Sequence, residues 1–70
     1  MDNKKVVYQL DSDGYQETSY VYDAKTAREA MEKHVYFLSL SNGNVKIEDI
    51  EPTLYGHALQ VGNTCYWCKG

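Results

Sequence analysis

One stretch of this chain has the spacing of an amphipathic α-helix, and a lone helix in so short a chain strongly limits the possible folds. Its apolar stripe consists of Ala27, Ala30, Met31, His34, Val35, Phe37 and Leu38. Thr26 and Glu29 have the spacing of a capping box, and Asp23 is a competing N-cap three residues earlier. Asn42-Gly43 predicts the end of the helix, with Gly43 as a left-handed C-cap. His34 is predicted to be a packed core histidine with one satisfied ring nitrogen.

The residues before the helix predict an antiparallel hairpin. Residues 5–10 and 18–22 are rich in β-branched and aromatic side chains, which favour strands. Between them, Asp11-Ser12-Asp13-Gly14 has the composition of a turn, and its Asp-Gly supplies the positive φ that a reversal needs. Both faces of this hairpin carry apolar residues, so the pattern does not determine which face is inward.

The residues after the helix predict further strands. Residues 45–51 alternate at first, which places Val45 and Ile47 inward. Residues 54–61 and 64–69 flank Gly62-Asn63, a two-residue hairpin signal. If this turn sets the register, His57 lies opposite Cys68.

The predicted fold class is therefore α+β, with a single helix packed on one face of a small antiparallel sheet in the order β-β-α-β-β-β. Seventy residues are enough for one domain, 1–70, and too few for two. A chain of this length buries only roughly 60% of the surface that its unfolded form exposes, so its core is small.

Charge and hydropathy exclude several classes of partner. The formal net charge is -3, and the cations are spread from end to end, which disfavours direct binding of nucleic acid. No run approaches the roughly 18 apolar residues of a membrane-spanning helix. The N-terminal residues lead into a predicted strand and not into the apolar region of a signal peptide, so we expect a cytoplasmic location.

The candidates for chemistry lie near the C-terminus, where Cys65-x-x-Cys68 could join His57 in a zinc site. Residues three apart on a strand point to opposite faces, however, so we favour two packing thiols over a zinc-stabilised module. Whether the thiols are free, disulfide-bonded or metal-bound stays open. A Cys-His pair alone, without a group that orients the base, does not make a nucleophile. We therefore predict no catalytic residue, no cofactor and no enzymatic activity.

Tyrosine dominates the aromatic residues, with seven Tyr against one Trp and one Phe. Tyr offers a rigid contact area with a polar tip and is enriched at binding surfaces, although it also favours strands. The predicted partner-binding residues are Tyr15, Tyr20, Tyr22, Tyr36, Glu48, Asp49 and Tyr55. A surface of tyrosines and carboxylates suits a partner protein with a basic surface.

In size, acidity, a lone helix on a small sheet and tyrosine content, the chain resembles small acidic inhibitors of bacteriophages and mobile elements, such as anti-CRISPR proteins. That resemblance implies a non-enzymatic, protein-binding module that occludes a basic, nucleic-acid-binding site on its partner. A structural or assembly role through homodimerisation is the alternative, because a thin core and an open edge strand both gain from a second copy.

Overall fold

The computed structural model of this chain describes residues 6–13 and 19–69. It contains one α-helix and a five-stranded antiparallel sheet in the spatial order β2-β1-β5-β4-β3, which confirms the predicted α+β class. The elements are β1 (Val6–Asp13), β2 (Ser19–Ala24), α1 (Ala27–Ser39), a 3₁₀ helix (Ile47–Asp49), β3 (Glu51–Pro52), β4 (Gly56–Val61) and β5 (Thr64–Lys69).

The last strand of the chain lies in the middle of the sheet. β5 pairs with β4 through a tight hairpin and with the second half of β1 on its other side. Leu10 of β1 thus lies between Tyr20 of β2 and Cys68 of β5. Because β5 joins the N-terminal and C-terminal hairpins, the five strands form one continuous sheet.

The helix begins where the capping residues predict. The Glu29 backbone N–H donates to Thr26 Oγ1 at 3.1 Å, and Glu29 Oε1 accepts from the Lys25 backbone N–H at 2.7 Å. Both capping side chains therefore satisfy free backbone donors, as predicted. Asp23 lies within β2, so its role as a competing N-cap is ruled out.

The predicted stop at Gly43 is wrong. The helix ends at Ser39, and its C-cap Leu40 keeps a right-handed φ of -66°. The freed carbonyls are satisfied by the chain that follows, since the Asn42 N–H donates to the Leu38 carbonyl at 2.9 Å. A left-handed residue is not needed because these bonds already complete the last turn.

The helix packs on one face of the sheet, which we call the inner face. The core between them consists of Leu10, Ala24, Ala27, Ala30, Met31, Val35, Val45, Ile50, Leu59, Tyr66 and Cys68. His34 also lies in this layer and is fully buried. The predicted helical stripe therefore faces the core, except that Phe37 is half exposed.

The segment 45–51 differs most from its prediction. Val45 is buried as expected, but Ile47 is exposed, and Ile50 takes the next core position. The Asp49 side chain accepts from the Lys46 backbone N–H at 3.2 Å, while the Asp49 N–H donates to the Lys46 carbonyl at 2.9 Å. These local bonds stabilise a 3₁₀ turn in place of a strand ladder. Only Glu51–Pro52 remains as strand.

The first predicted turn also lies elsewhere. β1 does not stop at Asp11 but continues to Asp13, because Ser12 and Asp13 pair with Tyr66 and Cys65 of β5. The reversal at Asp11-Ser12-Asp13-Gly14 is therefore wrong for its first three residues. Gly14 and the rest of the connection, 14–18, lie outside the described residues.

The structure confirms the predicted C-terminal hairpin. Val61 pairs with Thr64 across Gly62-Asn63, Gly62 has a φ of 60°, and His57 lies opposite Cys68. β4 starts at Gly56, two residues later than predicted. A Cβ atom at Gly56 would lie 2.0 Å from the carbonyl oxygen of Cys68, so the close approach of β5 requires glycine here.

Candidate protein-binding face

The side of the sheet opposite the helix is open to solvent, and we call it the outer face. Strand residues alternate between two faces, and the outer set is Val7, Gln9, Asp11, Asp13, Ser19, Val21, Asp23, Glu51, Ala58, Gln60, Cys65, Trp67 and Lys69. Val7 and Val21 are 65% and 62% exposed. These two valines lie on adjacent strands and contribute apolar area to the outer face.

Trp67 occupies the centre of the outer face. It lies on the central strand β5, opposite Asp11 of β1 on one side and Ala58 of β4 on the other. Trp67 is 36% exposed, so part of its indole ring is accessible on this face. A central, partly exposed tryptophan is the residue type most enriched at the hot spots of protein interfaces.

The carboxylate beside Trp67 is held in place by neutral donors. Asp11 Oδ1 accepts from Gln9 Nε2 at 2.9 Å and from the Ser19 hydroxyl at 3.0 Å. These bonds orient the carboxylate without neutralising its charge. Asp11 therefore presents a fixed negative charge next to the indole ring.

Further carboxylates border the outer face. Asp13, Asp23 and Glu51 lie at outward strand positions, and all three are exposed. Glu48 and Asp49 of the 3₁₀ helix line a shallow depression together with Ala58 and Cys65. The outer face and its margin thus combine a central indole with a negative periphery.

Of the predicted tyrosines, Tyr20 and Tyr22 lie on the inner face. Both are half-buried, and the Tyr22 hydroxyl is 2.7 Å from His34 Nδ1. The Tyr20 ring centroid is 4.5 Å from that of His34. Burial raises the pKa of Tyr22, with smaller contributions from Tyr20 and Tyr66. These two residues support the helix, so their substitution is expected to lower stability.

The other predicted residues are spread over the molecule. Tyr36 is exposed on α1, and Tyr55 is exposed in the connection between β3 and β4. Glu48 and Asp49 lie together at the margin of the outer face, as described above. Tyr15 lies outside the described residues. Among the described residues, the structure therefore groups Glu48 with Asp49 at the margin of the outer face, and Tyr20 with Tyr22 on the inner face.

The chemistry candidates do not converge. Cys65 is on the outer face, whereas Cys68 and His57 are paired inner-face positions. Among residues 6–13 and 19–69 no group of three His, Cys, Asp or Glu side chains is placed to hold a metal ion. Burial, with a smaller effect of Asp11, raises the pKa of the Cys68 thiol, which disfavours the thiolate that a nucleophile or zinc ligand requires.

The central residue of the candidate site, Trp67, has only a weak signal in the sequence. Its alternation with Cys65 and Lys69 places these residues on one face, but nothing in the pattern says that this face is uncovered. The sequence predicts a turn and not a strand at Asp11. Both residues become site candidates only once β5 is known to pair with β1.

No protein-family model, curated protein or solved structure matches this chain. In the described residues no helix is both long enough and apolar enough to cross a membrane. Function is therefore inferred from the geometry and chemistry of the chain itself.

Proposed function

We propose that this protein is a non-enzymatic binding module whose outer face docks on a basic surface of a partner protein. The observation that carries the proposal is Trp67, which is central on an open sheet face and lies beside the fixed carboxylate of Asp11. An aromatic anchor surrounded by charges is the usual anatomy of a specific protein interface.

Charge complementarity selects a basic partner. Asp11, Asp13, Asp23 and Glu51 contribute negative charge to the outer face, against the single cation Lys69 at its described strand positions. The ion pair found in the described part of the chain joins Arg28 Nε to Glu32 Oε2 at 3.1 Å. Both residues lie on the helix and not on the outer face. The carboxylates of the outer face are thus free to meet lysines and arginines of a partner.

Proteins that bind nucleic acid carry basic surfaces of the kind that this face would complement. The carboxylates of the outer face present negative charge to such a surface, as phosphates do. The proposed role is therefore inhibition by occlusion, as in the small acidic inhibitors of bacteriophages and mobile elements. The cytoplasm is the proposed site of action.

Trp67 also provides a direct assay, because it is the only tryptophan in the chain. Titration with an arginine-rich peptide at low salt should change its fluorescence, and added salt should reverse the change. Asp11→Asn should weaken binding by about 1–2 kcal/mol, since it removes the negative charge opposite Trp67 on β1. Glu32→Gln, on the helix, is the matched control and should bind like the wild type.

The natural partner is then identified with matched baits. Wild-type protein, Trp67→Ala and Tyr36→Ala are used to capture proteins from a nuclease-treated bacterial lysate. A partner retained by wild type and Tyr36→Ala but lost with Trp67→Ala supports the proposal if the purified protein also displaces nucleic acid from it. Salt-independent binding of the arginine-rich peptide, or a partner insensitive to Trp67→Ala, would contradict it.

A further inference from the structure

The two edges of the sheet are protected to different degrees. The β3 edge consists of two residues and contains Pro52, which lacks a backbone N–H. The β2 edge is six residues long, Ser19–Ala24, and its sequence SYVYDA is rich in strand-favouring side chains. Within the described residues no strand pairs with the second side of β2. The β2 edge is therefore a template on which another strand can pair.

We propose that two copies of this chain pair antiparallel through β2, about a two-fold axis at Val21. The paired strands then form the centre of one continuous sheet, with both helices on the same side. An isologous contact of this kind closes after two copies and covers the β2 edge of each copy.

The register follows from the alternation of the two faces. Inner residues must oppose inner residues, so Tyr20 lies opposite Tyr20, Tyr22 or Ala24 of the second copy. With Val21 opposite Val21, Tyr20 faces Tyr22, and Ser19 faces Asp23. No like charges meet in this register. A shift of two residues in either direction places Val21 opposite Ser19 or Asp23.

This pairing covers the apolar surface that the monomer leaves open at its edge. The exposed Val21 side chains contact each other on the outer face, where they meet at the axis. On the inner face the Tyr8–Tyr22 cross-strand pair is extended by Tyr20 of the second copy. The dimer thus adds apolar contacts to a chain whose own core is small.

One existing contact limits but does not block the ladder. Lys33 Nζ donates to the Asp23 backbone carbonyl at 2.5 Å, at the helix end of the strand. A carbonyl oxygen has two lone pairs, so it can also accept a bond from the second copy. Among the described residues, the hydrogen bond of Tyr22 to His34 of the helix uses the side-chain hydroxyl and leaves the Tyr22 backbone available to the ladder.

Sedimentation equilibrium at micromolar protein concentrations tests the proposal. The variants introduce charges at Val21, where the two copies meet. The wild type should shift from monomer to dimer as its concentration rises. Val21→Lys and Val21→Glu each place two like charges opposite each other and should raise the dissociation constant about tenfold or more. An equimolar mixture of the two variants should restore a mixed dimer.

The control variants separate the dimer from other effects. Val7→Lys adds the same charge at a similarly exposed position of the outer face. Val7 lies on β1, which is not an edge strand, so this variant should leave the dimer intact. Trp67→Ala, which removes the anchor of the proposed partner site, should also leave it intact. Far-UV circular dichroism establishes that each variant is folded.

Three results would overturn the proposal: a wild type that is monomeric at every concentration, a dimer that Val21→Lys does not weaken, or two folded variants that do not combine. Hydrogen exchange of the wild type provides a measurement that needs no variant. The β2 amides should become more protected as the concentration rises, and concentration-independent exchange would equally rule the interface out.

Discussion

Acidification should destabilise this protein through one buried imidazole. His34 is 0% exposed and is enclosed by Tyr20 and Tyr22 of β2, Tyr66 of β5 and its helix neighbour Phe37. Its Nδ1 is 2.7 Å from the Tyr22 hydroxyl oxygen, and Nε2 has no hydrogen-bond partner among the described residues. This site accommodates the neutral ring, and desolvation lowers the pKa of His34 to about 4.

The sign and size of the effect follow from this pKa. In the unfolded chain the imidazole has a pKa of about 6.5, so between about pH 6.5 and 4 the unfolded state binds more protons. Stability is therefore fully present above pH 6.5 and is lost as the pH falls towards the folded pKa. Integration gives a loss of about 2 kcal/mol between pH 7 and 5, and of about 3 kcal/mol by pH 4. Burial raises the pKa of Tyr22 and of Tyr66 above the ordinary tyrosine value of about 10, so both stay neutral over this range.

Urea unfolding at pH 7, 6 and 5, followed by Trp67 fluorescence, measures this loss directly. The matched control is His34→Leu, which keeps a side chain of similar volume and removes the titrating group. Every other titratable group is common to both proteins, so the difference between their pH profiles isolates His34. Tyr22 is half-buried, and its hydroxyl can turn to water in the variant.

The expected result is a wild type whose free energy of unfolding falls by about 2 kcal/mol more than that of the variant between pH 7 and 5. Parallel pH profiles would refute the reasoning, because they would show that His34 is protonated as readily in the folded protein as in the unfolded chain. In that case the imidazole reaches water, and the packing of the tyrosines around it would have to be looser than described.

Three further substitutions test the packing, each read by urea unfolding at pH 7. Gly56→Ala should destabilise by at least about 2 kcal/mol, because its Cβ would meet the Cys68 carbonyl, whereas Gly43→Ala, with open space around it, should change stability by less than about 0.5 kcal/mol. Equal effects at both glycines would contradict the close approach of β5. Thr26→Ala should lose about 1 kcal/mol with the N-cap bond, and Thr26→Ser should retain it. Leu10→Ala should lose about 2–5 kcal/mol, and a smaller loss would place this residue outside the core.

The local elements of this fold are determined by short-range chemistry and were predictable. The helix start depends on Thr26 and Glu29, whose side chains bond backbone groups within one turn. The C-terminal hairpin depends on Gly62-Asn63, and this turn alone places His57 opposite Cys68. Such features need no information from distant residues.

The local predictions that were wrong lie where a competing bond or a distant strand intervenes. The segment 45–51 has a strand-like alternation, yet the Asp49 carboxylate bonds the Lys46 N–H and stabilises a 3₁₀ turn. Asp11 to Asp13 have turn propensity, yet β5 supplies a ladder partner that keeps them extended. In both cases the energy of a specific pairing exceeds a weak residue preference.

The candidate site shows what the sequence by itself determined about this protein and what it did not. Period-2 alternation places Val21 and Asp23 on one face of β2 and Tyr20 and Tyr22 on the other, because successive side chains of a strand point in opposite directions. Both faces carry apolar residues, so the pattern does not identify the covered one. Only the tertiary structure, in which the helix packs on the tyrosines and β5 enters the middle of the sheet, leaves Trp67 at the centre of an open face.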